Sequence, residues 1–250
     1  MIVLKTKEEI DGIRQSCRLL AKLMEEVREE IRPGVTTGQI DRWVYRYITG
    51  HGGRPAFLNY GGFPGSACIS VNDEVIHGIP GNRQLREGDI VGMDLGINLK
   101  GFFSDMARTF PVGKVSPDAA KLMQVTYECL DKGIAAAKCG NRIKDISGAV
   151  SAHARSYGYG VVRDYCGHGI GLKLHEEPEV PNYCEFAGKN PRLQSGMVIA
   201  IEPMINAGSY EVDVLDDDWT VVTCDGSLSA HFEDTVAVFP DHTEILTRLS

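Results

Sequence analysis

The chain is short of several things, and each lack removes a class of protein. No apolar run approaches the roughly 18 to 20 residues of a membrane-spanning helix. Residues 197–205 are apolar, but the stretch is short and Glu202 interrupts it. Residues 2–4 are too few for the apolar core of a secretory signal. Basic residues are in deficit: 26 Lys and Arg stand against 34 Asp and Glu, a formal net charge of -8. Phosphate binding needs a basic face, so no direct nucleic-acid recognition is expected. The seven cysteines (Cys17, Cys68, Cys129, Cys139, Cys166, Cys184 and Cys224) form no Cys-x-x-Cys pair. An odd, scattered set argues against a disulfide framework and against a structural zinc site, and points to a reducing cytoplasm. Cys17, Cys129 and Cys139 fall on helical patterns and are expected to serve as small core hydrophobes. Asp216-Asp217-Asp218 reads as a solvated loop. No low-complexity linker divides the 250 residues, a length that can bury a large core.

What is present is one pattern written twice. Leu85-Arg86-Glu87-Gly88-Asp89-Ile90-Val91-Gly92-Met93-Asp94 aligns without gaps on Leu193-Gln194-Ser195-Gly196-Met197-Val198-Ile199-Ala200-Ile201-Glu202. Each copy has a Leu-x-x-Gly turn, then an apolar strand ending in an acid. Each is followed by a second acid on a later strand: Asp105 in the first copy, Glu233 in the second. A carboxylate in an apolar strand is costly unless it is paired, hydrogen-bonded or bound to metal. Four of them with internal symmetry argue for a metal site between two halves of one domain.

The rest of the chain repeats in the same order. Thr6 with Glu9 forms a capping box. Ile10, Ile13, Cys17, Leu20, Met24, Val27 and Ile31 then recur at spacings of three and four, one face of an amphipathic helix. A second helix is predicted over 37–49, and a hairpin over 90–97 and 102–110 around Asn98-Leu99-Lys100-Gly101. Ser116-Pro117 opens a third helix as N-cap and first residue, and a fourth is predicted over 143–157. Strands resume at Val161. The expectation is an α+β fold: a single domain over 1–250, with pseudo-twofold halves of about 1–112 and 113–250. Helices should cover one face of a curved antiparallel sheet.

Asp94 and Asp105 lie on the two arms of the predicted hairpin, where cross-strand neighbours have Cβ atoms about 4.5 to 5.5 Å apart. That separation lets two carboxylates share a metal. Cys166-Gly167-His168-Gly169-Ile170-Gly171 places a histidine among glycines, which allow close backbone approach and leave it uncovered. With Asp94, Asp105, Glu202 and Glu233, His168 completes a five-residue set. Two divalent ions would neutralise its four carboxylates, and one imidazole among them suits manganese, iron, cobalt or zinc. A two-metal site lowers the pKa of a bound water and polarises a carbonyl, which is hydrolytic chemistry. A bridging hydroxide would leave one surplus negative charge that a substrate ammonium could offset. His77, in a tight Gly/Pro turn, and His175, seven residues after His168, are candidates to donate to an oxyanion or a leaving nitrogen; a purely structural role stays open for both.

These motifs together resemble the type I methionine aminopeptidases in their bacterial short form, which have the pita-bread fold. The resemblance rests on Asn72-Asp73-Glu74-Val75-Ile76-His77-Gly78-Ile79-Pro80, Asp94-Leu95-Gly96, Ser104-Asp105, the glycine-flanked His168, His175-Glu176-Glu177-Pro178, Ile201-Glu202-Pro203 and residues 228–235. It implies that Asp94, Asp105, His168, Glu202 and Glu233 hold two divalent metals, bridged by Asp105 and Glu233. Glu202 would double as proton shuttle, His175 would stabilise the tetrahedral intermediate, and His77 would contact the scissile nitrogen. It further implies removal of initiator methionine from nascent chains with a small second residue. The methionine pocket maps onto Tyr60, Phe63, Cys68, Leu174 and Trp219. Phe63 stands where Tyr is frequent in the family and Leu174 where Phe is frequent, so a slightly altered pocket is expected. The chain starts almost at its first helix, without the zinc-binding, proline-rich extension of eukaryotic cytosolic type I enzymes, and has no room for the type II helical insert. The minimal form, acting as a monomer with docking to the ribosome implied by the family, is therefore expected. Two rivals remain: a proline-directed peptidase of the same fold, and a non-catalytic relative that binds a partner.

Overall fold

A computed structural model describes residues 1–249. Helix α1 (Lys7–Val27) starts at the capping box read from the sequence: the Thr6 side chain accepts from Glu9 N–H, and Glu9 accepts from Thr6 N–H. Helix α2 (Thr37–Gly50) opens with a second capping box, Thr36 with Gln39. Ser116 caps helix α3 (Pro117–Ala136), and Arg142 precedes helix α4 (Ile143–Ser156). Cys17 and Cys129 are buried on α1 and α3 as expected. Cys139 is not: α3 ends three residues earlier, and this thiol is exposed. All seven cysteines are free.

Every strand pairing among the described residues is antiparallel, and the strands divide into four hydrogen-bonded sheets. Two of these carry the site. One contains the hairpin Ile90–Leu99/Phe102–Pro111 with Ala67–Val71 and Arg54–Pro55. The other runs Thr243–Ile245, Asp234–Val238, Val198–Ile201, Gly167–Gly169, Glu176–Val180.

The repeated turn has the same geometry in both copies. Gly88 and Gly196 take φ of 93° and 91°, a left-handed conformation that costs glycine nothing. Leu85 and Leu193 are both buried. Each accepts a hydrogen bond from a glycine just after a helix, Gly34 in one case and Gly140 in the other. One apolar cluster gathers residues from α1, α2 and the hairpin, another from α3, α4 and the later strands. A third joins the two: Ile10, Ile13 and Cys17 of α1 pack with Phe63 and Cys68 on one side and Ile170, Leu174 and Val198 on the other.

The hairpin is stitched to the later strands by threonines. Thr235 Oγ1 accepts from Asp105 N–H and donates to the Asp105 carbonyl, at 3.3 and 2.8 Å. Thr109 Oγ1 does the same for His231, at 3.0 and 2.9 Å. Glu233 N–H donates to the Ala107 carbonyl at 2.9 Å. These bonds bring the acids of the two copies into one place.

Candidate metal centre and active site

All twelve residues singled out in the sequence line one cavity of about 590 Å³: Tyr60, Phe63, Cys68, His77, Asp94, Asp105, His168, Leu174, His175, Glu202, Trp219 and Glu233. At its floor are the four acids and His168. Asp105 and Glu233 are buried to 3 % and 2 % exposure. Candidate ligand atoms of Asp105, His168 and Glu233 lie within 4.8 Å of one another. His168 Nε2 is 3.9 Å from Asp105 Oδ2 and 3.5 Å from Glu202 Oε1. Its Nδ1 is 2.9 Å from the Gly169 carbonyl, an acceptor that keeps the proton there and leaves Nε2 free to coordinate.

Asp94 and Asp105 are not directly opposite one another, as the simplest hairpin reading would have it. Asp94 faces Ala107 and Asp105 faces Gly96, so the two acids are diagonal neighbours on one face. Such positions are about 7 Å apart at Cβ, still within reach of a shared ion. Glu202 and Glu233 sit at breaks in their strands, just after Val198–Ile201 and just before Asp234–Val238.

The electrostatics of this floor are those of a cation site. Burial and mutual repulsion raise all four acids. Asp94 is pushed up to about 7, chiefly by burial. Asp105, Glu202 and Glu233 stand well above the usual carboxylate range, from burial first and neighbouring acids second. Burial holds His168 down to about 3, hence neutral and able to coordinate. Asp94 Oδ1 and Glu233 Oε1 are buried without a hydrogen-bond partner. Buried polar atoms of this kind are rarely left unpaired, and a divalent ion would satisfy both. The donor set fits the metal implied by the resemblance.

The glycines beside His168 serve packing more than access. A Cβ on Gly167 would lie 2.4 Å from the Ala200 carbonyl oxygen, and one on Gly169 would lie 2.3 Å from that of Glu177. Neighbouring backbones occupy the space a side chain would need.

Above the floor, His77 takes a left-handed φ of 57° in a turn pressed onto the Ala67–Val71 strand. Gly78 N–H donates to Ser70 Oγ at 3.1 Å, and Ile69 N–H to the Gly78 carbonyl at 2.9 Å. Non-glycine residues in this region of backbone space cluster at functional sites. Burial lowers His77 to about 4. His175 is more exposed; its Nδ1 is 2.8 Å from Tyr60 Oη, and its ring is 4.3 Å from that of His168. Phe63 and Leu174 are each 2 % exposed and Cys68 4 %, and they form the apolar end of the cavity with Trp219, whose ring meets Phe63 edge-on at 5.2 Å.

Four features escaped the sequence reading. His231 Nε2 is buried, unpaired and 3.9 Å from Glu202 Oε2; its place two residues before Glu233 was the available signal. Asn182 Nδ2 donates to the Glu202 carbonyl at 3.0 Å. Phe57 and Tyr165 also line the cavity. Asp217, in the exposed acidic loop, accepts from the N–H groups of Trp219 and Thr220 at 2.9 and 2.7 Å and so fixes the start of the Trp219 segment.

A match to Metallopeptidase family M24 spans residues 11–240. The chain belongs to this family. Within M24, it is 52 % identical over 247 residues to a methionine aminopeptidase of Clostridium perfringens, covering 99 % of each chain. The crystal structure of methionine aminopeptidase from Rickettsia prowazekii superposes with a TM-score of 0.96 at 40 % identity, covering 99 % of this chain and 100 % of that one. Prolidase from Pyrococcus furiosus, the kind of proline-directed rival weighed above, is further away. It matches with a TM-score of 0.80 at 27 % identity, and this chain spans 66 % of its length. The M24 fold is thus the pita-bread architecture expected from the sequence. Among the described residues, no helix is long and apolar enough to cross a membrane.

Proposed function

We propose that this M24 enzyme is a metal-dependent methionyl aminopeptidase that removes the N-terminal methionine from peptides and nascent chains with a small second residue. The observation that carries the reading is the joining of two environments in one cavity: a buried carboxylate–imidazole floor and a closed apolar end. The floor suits divalent cations, and the apolar end suits a flexible thioether that packs on aromatic edges.

Asp94, Asp105, His168, Glu202 and Glu233 would hold two divalent ions, with Asp105 and Glu233 shared between them; cobalt, manganese, iron and zinc all suit the donors. Bound there, the metal pair supplies Lewis acidity and an activated water. The chain's own groups do the rest. Phe63, Cys68, Leu174 and Trp219 seat the methionine side chain, which brings the first peptide bond over the acids. Tyr60 Oη donates to His175 Nδ1, so that His175 Nε2–H faces the cavity as a donor for the oxygen of the tetrahedral intermediate. His77, kept neutral by burial, offers its ring to the scissile nitrogen. Glu202 takes a proton on its carboxylate and returns it to the leaving amine.

Residence in the cytoplasm belongs to the same proposal and is supported by seven unpaired cysteines. So do action as a monomer and work close to the ribosome.

The test is hydrolysis of Met-Ala-Ser by metal-free protein titrated with each of the four metals, beside Glu202→Ala and an Ala-Pro peptide. Release of methionine that needs metal and falls by about two orders of magnitude or more in the variant is the expected result. Cleavage of the Ala-Pro peptide alone would favour a proline-directed enzyme. Pocket selectivity is checked with methionyl, norleucyl and leucyl peptides: the expected order is methionyl, norleucyl, leucyl, with a methylene-scale difference worth about 10- to 200-fold. Equal turnover of all three would refute a methionine pocket.

A further inference from the structure

The short segment ahead of α1 reaches into the active site through one buried ion pair. Lys5 Nζ lies 2.5 Å from Glu176 Oε2, and the two side chains are only 1 % and 6 % exposed. Lys5 is itself held in place: its N–H donates to the Gly196 carbonyl at 2.7 Å, and its Nζ also reaches the Val3 carbonyl at 3.1 Å. The other oxygen of Glu176 accepts from two consecutive backbone groups, Leu172 N–H at 2.8 Å and Lys173 N–H at 2.9 Å. The loop that Glu176 gathers in this way carries Leu174 and His175. One closes the apolar end of the cavity; the other faces His168 from 4.3 Å.

We propose that Glu176, locked by Lys5, is a positioning residue that sets both the methionine selectivity and the oxyanion contact of this enzyme by fixing the 172–175 loop. The inference rests on the function proposed above. Neither side chain has a role in the chemistry itself. A charge-assisted acceptor holding two adjacent N–H groups fixes a loop more tightly than neutral bonds do. Burial of its partner ammonium fixes the acceptor in turn. Leu172 and Lys173 are themselves exposed and contribute no packing that would hold the loop instead. Displacing a catalytic group by about 1 Å from a distance can cost on the order of a hundredfold in rate.

A variant lacking only one partner would leave a buried charge alone and risk the fold. The decisive protein is therefore the double variant Lys5→Met/Glu176→Leu, which replaces the pair by apolar groups of similar size. Three quantities are read on the metal-loaded enzyme: kcat and KM for methionyl against leucyl peptides, metal affinity by calorimetry, and amide exchange of Leu172 and Lys173. The expected result is a kcat lowered about ten- to a hundredfold and a methionyl-to-leucyl ratio falling by about tenfold. Exchange at the two amides should be faster and metal affinity unchanged. Lys5→Arg, which keeps the pair, should retain the parental ratio. A merely structural role would lower both substrates in step with the folded fraction and leave their ratio alone; a ratio within about twofold of the parent overturns the proposal. If the double variant does not fold, Glu176→Gln, the same size with a weaker acceptor, is judged by the same ratio. Should the parent enzyme release no methionine at all, the proposed function fails on its own account. Unchanged amide exchange in the double variant would then overturn the positioning role separately.

Discussion

Four acids and four weakly basic imidazoles share one cavity region, and their titrations pull stability in opposite directions. His77, His168, His175 and His231 are all lowered by burial, so folding is penalised as pH falls below their ordinary value of 6.5. The acids are raised. Between their ordinary values of 3.8 to 4.5 and their raised values, the folded chain binds more protons than the unfolded one, and stability falls as pH rises. Above 6.5 the histidines are neutral in both states and only the acids still act. Metal-free protein should therefore lose stability from pH 6.5 to 8, by up to about 1.4 kcal/mol per pH unit for each proton the fold retains. Divalent metal should abolish the slope by replacing those protons. Melting midpoints across this range, with and without metal, test the point; a flat metal-free profile would contradict it.

At the scale of elements, the Gly167–Gly169 strand has almost no freedom. Its neighbours approach so closely that Gly169→Ala must push the Glu177 carbonyl aside. Overpacking of this kind costs about 1 to 3 kcal/mol and should also weaken metal binding, since His168 lies between the two glycines. A denaturation curve and a metal titration on the variant would show both effects; an unchanged metal affinity would mean that the strand can shift without moving His168. This strand also marks where sequence reading stops. Helix starts at Thr6, Thr36 and Ser116 were legible, or could have been, because a cap and its partner lie three residues apart. The hairpin was legible because its turn is local. The register that makes Asp94 and Asp105 diagonal, the backbone crowding around His168, and the ion pair of Lys5 with Glu176 depend on segments far apart in the chain. So does the placement of His231 beside Glu202. The acids themselves were legible because a charged residue in an apolar strand demands a reason wherever the strand goes.

Across the whole molecule, the centre draws on both copies of the pattern: Asp94 and Asp105 from the first, His168, Glu202 and Glu233 from the second. Behind it, Asp234 has a fully buried side chain and joins the same two regions. Arg108 of the hairpin donates to it at 2.7 Å, Arg248 near the end of the chain at 2.9 Å, and Thr247 at 2.8 Å. Arg108 also donates to the Glu233 carbonyl at 2.5 Å. Asp234→Ala would strand a largely buried guanidinium beside a metal ligand, at a cost of about 3 to 5 kcal/mol. Urea denaturation should show this as a lower midpoint. A change below 1 kcal/mol, about the value of an exposed pair, would mean that water reaches Arg108 after all.

The closed end of the cavity has a consequence for what the enzyme can mistake. Phe63, Cys68 and Leu174 leave no exit beyond the seat of the first side chain. In the proposed reaction a chain must therefore present a free end, and the depth of the recess counts one residue. Methionines elsewhere in a protein are spared by this ruler alone, whatever sequence surrounds them.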